Sequence, residues 1–404
     1  MFIERSAGRI RLARTVFVLA GLVPCVALVA LASWRHSRSH VERLERDGTA
    51  LLGLPVEIGA VDHPRPGTVR LEKVRLRGPA GDEILAISSL DVEVSAVECR
   101  LTADRLTCTP RAAAQLAALA QGWLEQPARF GRDLVVDVRD VEWQVADVAV
   151  GRPTGLHAEC VAAGGSRAVR VRREPAGTDE IRVQSSVSPT PALDVAGVIE
   201  EPLPAAIVAA LAGLPNIAGA EALVRGRVDA ECSDGRWSGE VAGVLERLDL
   251  EACGARAEHR LRGEAAVEIS RLKLSGGRIE ACDLGLTATQ GRVGQDFLDA
   301  LVRQFGCRPG PAYRSLAVDA MRDFDRFSCR VGIDRDGVRL RAFPDAATGI
   351  LSSHGLVVLD EPAQPVPVER LAWFCSPPGG VAVPASAASA WLISKLPLGS
   401  GGGF

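Results

Sequence analysis

The chain has 404 residues, 47% of them hydrophobic, and 47 Lys+Arg against 50 Asp+Glu leave a formal charge of −3. With that near-neutral balance nothing points to nucleic acid as a partner. Aromatic residues make up only 4% with a single tyrosine, Tyr313, which excludes a surface built on stacking against sugars or bases.

The first element is an apolar run, Thr15 to Trp34, whose length matches the ~20 residues a helix needs to cross a bilayer core. Arg5, Arg9, Arg11 and Arg14 precede it, so the run predicts a signal-anchor over 15–34 with a cytoplasmic segment 1–14 and the rest exported. Arg35 and Arg38 flank the far end. A cleavable signal peptide is the competing reading, because Ala30-Leu-Ala32 has the small-residue spacing of a cleavage site. Residues 35–54 follow as a charged amphipathic extension on which Val41, Leu44, Leu51 and Leu52 are apolar. His36 and His40 lie there at helical i,i+4 spacing, without a carboxylate–cysteine set around them. Interfacial polar residues are the expectation, not a metal site.

Extended structure begins at Leu54. Val69 and Leu71 share one parity and Val74 and Leu76 the other, so a bulge or a strand break is predicted at Glu72-Lys73. Gly78 to Asp82 carries turn chemistry, after which Leu90, Val92 and Val94 alternate. Further on, Val97, Cys99 and Leu101 alternate, as do Leu106 and Cys108. A two-residue turn at Ala103-Asp104 would set Cys99 opposite Cys108 within disulfide reach; the alternative is two reduced core fillers. The absence of any C-x-x-C removes a zinc-ribbon or thioredoxin-type reading.

A helix is predicted over 110–126, capped by Thr109, started by Pro110 and apolar along Leu116, Leu119, Ala120 and Trp123. A β-rich region then fills 127–360, densest over 223–290, where alternation appears clean between Gly-containing turns. The apolar stretch Leu203 to Leu211 reads as helical or membrane-surface-like, a helix is expected over 295–305, and a hairpin turning at Asp334–Gly337. Residues 361–404 read as a Pro-rich linker, a short helix over Ser386 to Leu396 and a flexible tail. The predicted class is mainly β, an N-terminal membrane helix followed by a long antiparallel sheet with short amphipathic helices.

Three stretches carry a family resemblance. LGLPV at 52–56, the paired Val-x-Leu strands from Val69 to Leu76, and Leu90 to Val94 follow one another behind a single membrane span. GRVDA at 226–230, WSGEV at 237–241 and LKLSGGRI at 272–279 come later. This resembles AsmA-like proteins, the group that includes TamB and is similar to bridge-like lipid transfer proteins. The resemblance covers about a quarter of the chain. It implies a β-sheet of residues 35–109 next to an inner membrane, with the bulk of the chain in the periplasm. It also implies a bent, groove-like sheet that binds or passes membrane lipids in envelope biogenesis. Leu90, Val92, Val94, Val97, Leu101, Leu106, Leu272, Leu274 and Ile279 would then line the apolar face. Lipids and other envelope proteins are the expected partners. A lipid-free anchored scaffold for a secretion or envelope complex is the rival reading.

Catalytic signatures are not part of this pattern. Asp319, Asp323 and Asp325 cluster with Arg322 and Arg326, most simply a salt-bridged surface. Asp334 to Gly337 lacks the further ligands of a calcium loop. No G-x-S-x-G, H-E-x-x-H or phosphate-binding Gly loop occurs. The expectation is a non-enzyme without cofactor or metal.

Overall fold

The computed structural model describes residues 12, 14–35, 37–78, 81–125, 132–163, 166–174, 177–186, 192–256, 259–317, 319–344, 349–374 and 394–397. The protein is mainly β, with 53% strand and 25% helix, and divides into two compact units, residues 1–106 and 107–404.

In the first unit, α1 (Arg14–Arg35) is long and apolar enough to cross a membrane, and none of its apolar window is buried within the chain. α2 (Arg38–Leu52) ends at Gly53, whose φ of +72° lets the chain turn out while its N–H bonds Thr49 O at 2.8 Å. Side chains of α2 then receive the next strands: Thr49 Oγ1 accepts the Val56 N–H at 3.1 Å and a Glu45 carboxylate oxygen accepts the Ile58 N–H at 2.8 Å. β1 (Val56–Glu57) and β2 (Ala60–Arg65) both pair with β3 (Thr68–Arg77), which pairs on with β4 (Glu83–Val94), all antiparallel.

The change of parity at Glu72-Lys73 is neither a strand break nor an extra residue. Leu71 faces Leu90 and Val74 faces Ile87, so β4 changes face in step with β3, and Lys73 supplies the twist with a φ of +54°. Val74, Leu76, Ile84 and Leu85 are buried as a result.

β5 (Glu98–Cys108) corrects the cysteine hairpin. It is one unbroken strand with no reversal at Ala103-Asp104. Nine residues at about 3.3 Å each hold Cys99 and Cys108 far beyond disulfide reach along it. Neither Ala103 nor Asp104 supplies the glycine that a tight two-residue turn favours, and Ala103 is buried instead.

The second unit opens with α3 (Pro110–Glu125), capped by the Thr109 hydroxyl, which accepts the Ala112 N–H at 3.1 Å. A serial antiparallel meander follows. β6 (Asp133–Val145) carries a small hairpin to β7 (Val148–Ala149) and pairs with β8 (Thr154–Ala163). From there each strand pairs with the next: β9 (Ser166–Glu174), β10 (Glu180–Ser186) and β11 (Ala192–Pro204). The short α4 (Ala205–Leu211) interrupts, so residues 203 and 204 of the expected helical segment belong to strand. The meander resumes with β12 (Leu223–Ser233) and β13 (Arg236–Asp249). After α5 (Leu250–Arg256) come β14 (Leu261–Ser275) and β15 (Arg278–Ala288).

A smaller layer closes one end. β16 (Gly291–Gly294) pairs with β14 and leads into α6 (Gln295–Phe305), β17 (Arg308–Pro309) and β18 (Met321–Phe324). β19 (Arg326–Asp334) returns to pair with β15 and forms a hairpin with β20 (Gly337–Arg341), its ends at Asp334 and Gly337. β21 (Leu351–Ser353), β22 (Leu356–Asp360) and α7 (Glu369–Phe374) complete it.

Residues 361–374 are not a linker. Val366 and Val338 exchange backbone hydrogen bonds of 2.7 and 2.9 Å, Val368 is buried, and Leu371 and Phe374 pack on the main core. Most of the helix expected over Ser386 to Leu396, and the glycine tail, lie outside the described residues; Leu396 itself is fully buried.

Candidate functional site

Cross-strand register places aliphatic side chains of the second unit on one sheet face. One rung runs Gly197, Val228, Val241, Leu272, Cys282, Ile333 and Val338 across neighbouring strands. The rung beside it runs Val195, Ala230, Gly239, Leu274 and Ile279. Toward β6, the same face continues through Val183, Val169, Cys160 and Leu134.

The opposite face is charged. Arg172 pairs with Glu180 at 3.3 Å, Arg271 with Glu240 at 2.9 Å and Lys273 with Glu280 at 3.1 Å. His157 lies between Asp137 at 2.5 Å and Glu159 at 3.0 Å. Its pKa is raised, first by the hydrogen bond to Glu159 and then by the one to Asp137, and the Glu159 carboxyl is lowered in return. Apart from Arg167 and Arg173, which share the face of Val169 in β9, the sheet separates apolar from charged over these strands and turns one side away from water.

Period-two alternation does not produce that separation unaided. Ile269 and Leu272 have opposite parity, yet Ile269 faces Leu284 and Leu272 faces Cys282, because β14 carries an irregularity between Ile269 and Arg271. The clean alternation expected over 223–290 is therefore broken here, and the bulge is what returns Leu272 and Leu274 to the apolar side. Glycines let neighbouring strands approach closely here. Gly226 and Gly243 oppose each other, and a Cβ on either would run into a carbonyl of the adjacent strand. Gly239 has a φ of +151° and the same obstruction.

Helices cover this face in two places. At the β8–β11 end, Trp123 and Leu124 of α3 are buried with Cys160 and Val169, and Arg167 lies over the Trp123 ring while donating to its carbonyl at 3.0 Å. At the other end, Phe297, Leu298, Leu301 and Phe305 of α6 join Leu248, Leu261, Phe327, Cys329 and Leu359 in the main core. His259 and Asp296 fasten α6 and α7 there. They are 3% and 6% exposed and 3.4 Å apart, and His259 Nε2–H donates to Phe374 O at 2.8 Å. Between the two covered regions, Val195, Val228, Val241, Leu272, Leu274 and Ile279 are half-buried and belong to neither cluster.

The lining residues expected from sequence separate accordingly. Leu272, Leu274 and Ile279 lie on this half-covered strip. In the first unit, Leu90 and Val92 are half-buried opposite Leu71 and Val69, and Leu101 is half-buried on β5. Leu106 is buried, whereas Val94 and Val97 are 52% and 73% exposed and line no buried surface. Sequence reading missed Val195, Val228 and Val241; their alternation was visible, but the strand register that brings them beside Leu272 was not.

The other sequence candidates disperse. Asp323 pairs with Arg292, Asp325 accepts the Gly355 N–H, Arg322 donates to the Ala312 and Arg314 carbonyls, and Arg326 donates to Ser328. The backbone carbonyl of Asp319 accepts from Arg260. His36 lies outside the described residues, and His40 sits 3.3 Å, Nε2 to Nε2, from His63 of β2 while its ring packs on Trp34. No protein-family model matches this chain, and no curated protein sequence matches it.

Proposed function

We propose that this chain is a membrane-anchored envelope protein of AsmA-like type that binds or passes lipids along the apolar face of its second unit. The observation that carries this reading is the strip of Val195, Val228, Val241, Leu272, Leu274 and Ile279. It is aliphatic over several adjacent strands, half-buried, and left between two helix-covered regions. Contiguous apolar surface of this kind is costly in water and favourable against another apolar surface. Acyl chains match it chemically, since it offers no charged side chain and little aromatic area to orient a polar ligand.

The apolar N-terminal helix supports a single inner-membrane anchor with the bulk of the chain in the periplasm. The charged outer face supports contact with water on the other side of the sheet.

The test is lipid extraction and mass spectrometry on the full chain, purified in a lipid-free detergent and compared with an unrelated single-span protein handled identically. Stoichiometric phospholipid or another acyl species above that control is the expected result. Lipid no higher than the control, on a chain with native strand content, would instead favour the lipid-free scaffold.

A further inference from the structure

We propose that the end of α4 and the loop following it form a membrane-touching tip whose Leu211, Leu214 and Ile217 enter the interface of a phospholipid bilayer. This goes beyond the proposed groove and holds whether or not the groove carries lipid. The three side chains are 43%, 52% and 48% exposed, within seven residues of one another, and none of them belongs to a described core cluster, although Ala218 of the same loop is anchored in the main core. Large aliphatics grouped this way on a surface mark a contact with something apolar.

The loop is also held in place. The N–H groups of Ala212, Gly213 and Leu214 bond back to the carbonyls of Val208, Ala210 and Ala209 at 2.8–3.1 Å. The side chain of Asn216 bridges the next turn, donating to Gly219 O and accepting the Ala218 N–H, both at 3.1 Å. Cys253 of α5 donates its thiol hydrogen to Ile217 O at 3.0 Å, and the Ala218 carbonyl accepts the Asp249 N–H at 2.9 Å. These bonds fix the aliphatics outward, so their exposure is built into the loop.

Two features favour a bilayer over a protein partner. From Pro202 to Ala220 there is no charged residue, and Asn216 is the only polar side chain, already engaged at both ends. A protein partner would find few groups here to set register, whereas a bilayer interface needs none. The amides of residues 212, 213, 214 and 218 are satisfied within the chain and Pro215 has none. At those positions the N–H groups meet the requirement hydrocarbon places on a backbone that approaches it.

The test uses the full chain reconstituted in vesicles of phosphatidylcholine and phosphatidylglycerol. A photoreactive diazirine analogue of leucine replaces Leu214 or Ile217, with Glu231 on the charged face as the blank and Val228 as a separate reporter of the groove. Lipid adducts at 214 and 217 roughly tenfold above the blank are expected, with loss of the 217 adduct on Leu214→Asp. Adducts at 214 and 217 no higher than at 231, or adducts to protein, would overturn the tip. An adduct at 228 alone would leave the groove standing without it, and adducts at 214 and 217 alone the reverse.

Discussion

His157 of β8 stands directly opposite Asp137 of β6, its Nδ1 2.5 Å from the carboxylate, while its Nε2 reaches Glu159 on its own strand at 3.0 Å. Both ring nitrogens face carboxylates, so the doubly protonated, charged imidazole is the form the folded sheet prefers.

The folded pKa of His157 is raised above its ordinary value of about 6.5, so its stabilisation is complete below that value and fades as pH rises through the folded pKa. Glu159 works in the other direction: its pKa is lowered, so its share is present above about pH 4.3 and fades as pH falls through the folded value. His157→Gln is expected to cost up to about 1 kcal/mol near pH 5.5, with water screening part of the effect. The difference should shrink toward zero at alkaline pH. Urea unfolding of both proteins across that range checks it, and a pH-independent difference would contradict the account.

Leu274 separates an open face from a packed one. Leu274→Asp on a half-covered strip leaves the carboxylate partly in water, so a loss of about 1 kcal/mol and native strand content are expected, together with loss of co-purified lipid. In a sealed core the same change would cost several kcal/mol and unfold the sheet. Circular dichroism and lipid mass spectrometry on the same preparation distinguish the outcomes.

Gly239 is required by backbone geometry. Its φ of +151° is rarely adopted by residues with a side chain, and a Cβ there would meet the Asp229 carbonyl and Ala230. Gly239→Val is expected to lower stability by about 3 kcal/mol, more than Gly235→Ala in the neighbouring turn, where a Cβ meets nothing. Denaturant midpoints of the two variants give the comparison.

Burial pushes the Cys108 and Cys329 thiols up to about 12, so neither is a thiolate at ordinary pH. Both are expected to resist iodoacetamide at pH 8 in the native chain and to react within minutes once it is unfolded. Peptide mapping after a labelling pulse reads this directly. Rapid native labelling of Cys108 would show that β5 does not keep its thiol buried.

Part of this architecture was legible in the residues. The apolar run that becomes α1, the Thr109–Pro110 start of α3 and the apolar side of α6 are local signals, and local physics writes them. Failures arose wherever distant strands decide the outcome. Alternation around Cys99 and Cys108 breaks phase at Asp104-Arg105, and a phase break alone does not distinguish a turn from a strand that twists to its other face. The same ambiguity hid the in-step twist at Lys73 and the irregularity in β14. Pro362 to Pro367 has the composition of a linker, and only Val338 across the sheet makes it an edge. Half-coverage of the apolar strip depends on where α3 and α6 land, which no periodicity encodes.

From β9 to β15 each strand takes as its partner the one made just before it, with α4 and α5 the helices between them among the described residues. Loop-closure entropy is small for such neighbours, so the sheet can lengthen one strand at a time as the chain emerges. The exception is β19, which reaches β15 only after β16, α6 and β18 have been laid down. Until then β15 is a growing end with open amides, and the late return of β19 covers it and carries the sheet on to β20 and to Val366 at its edge.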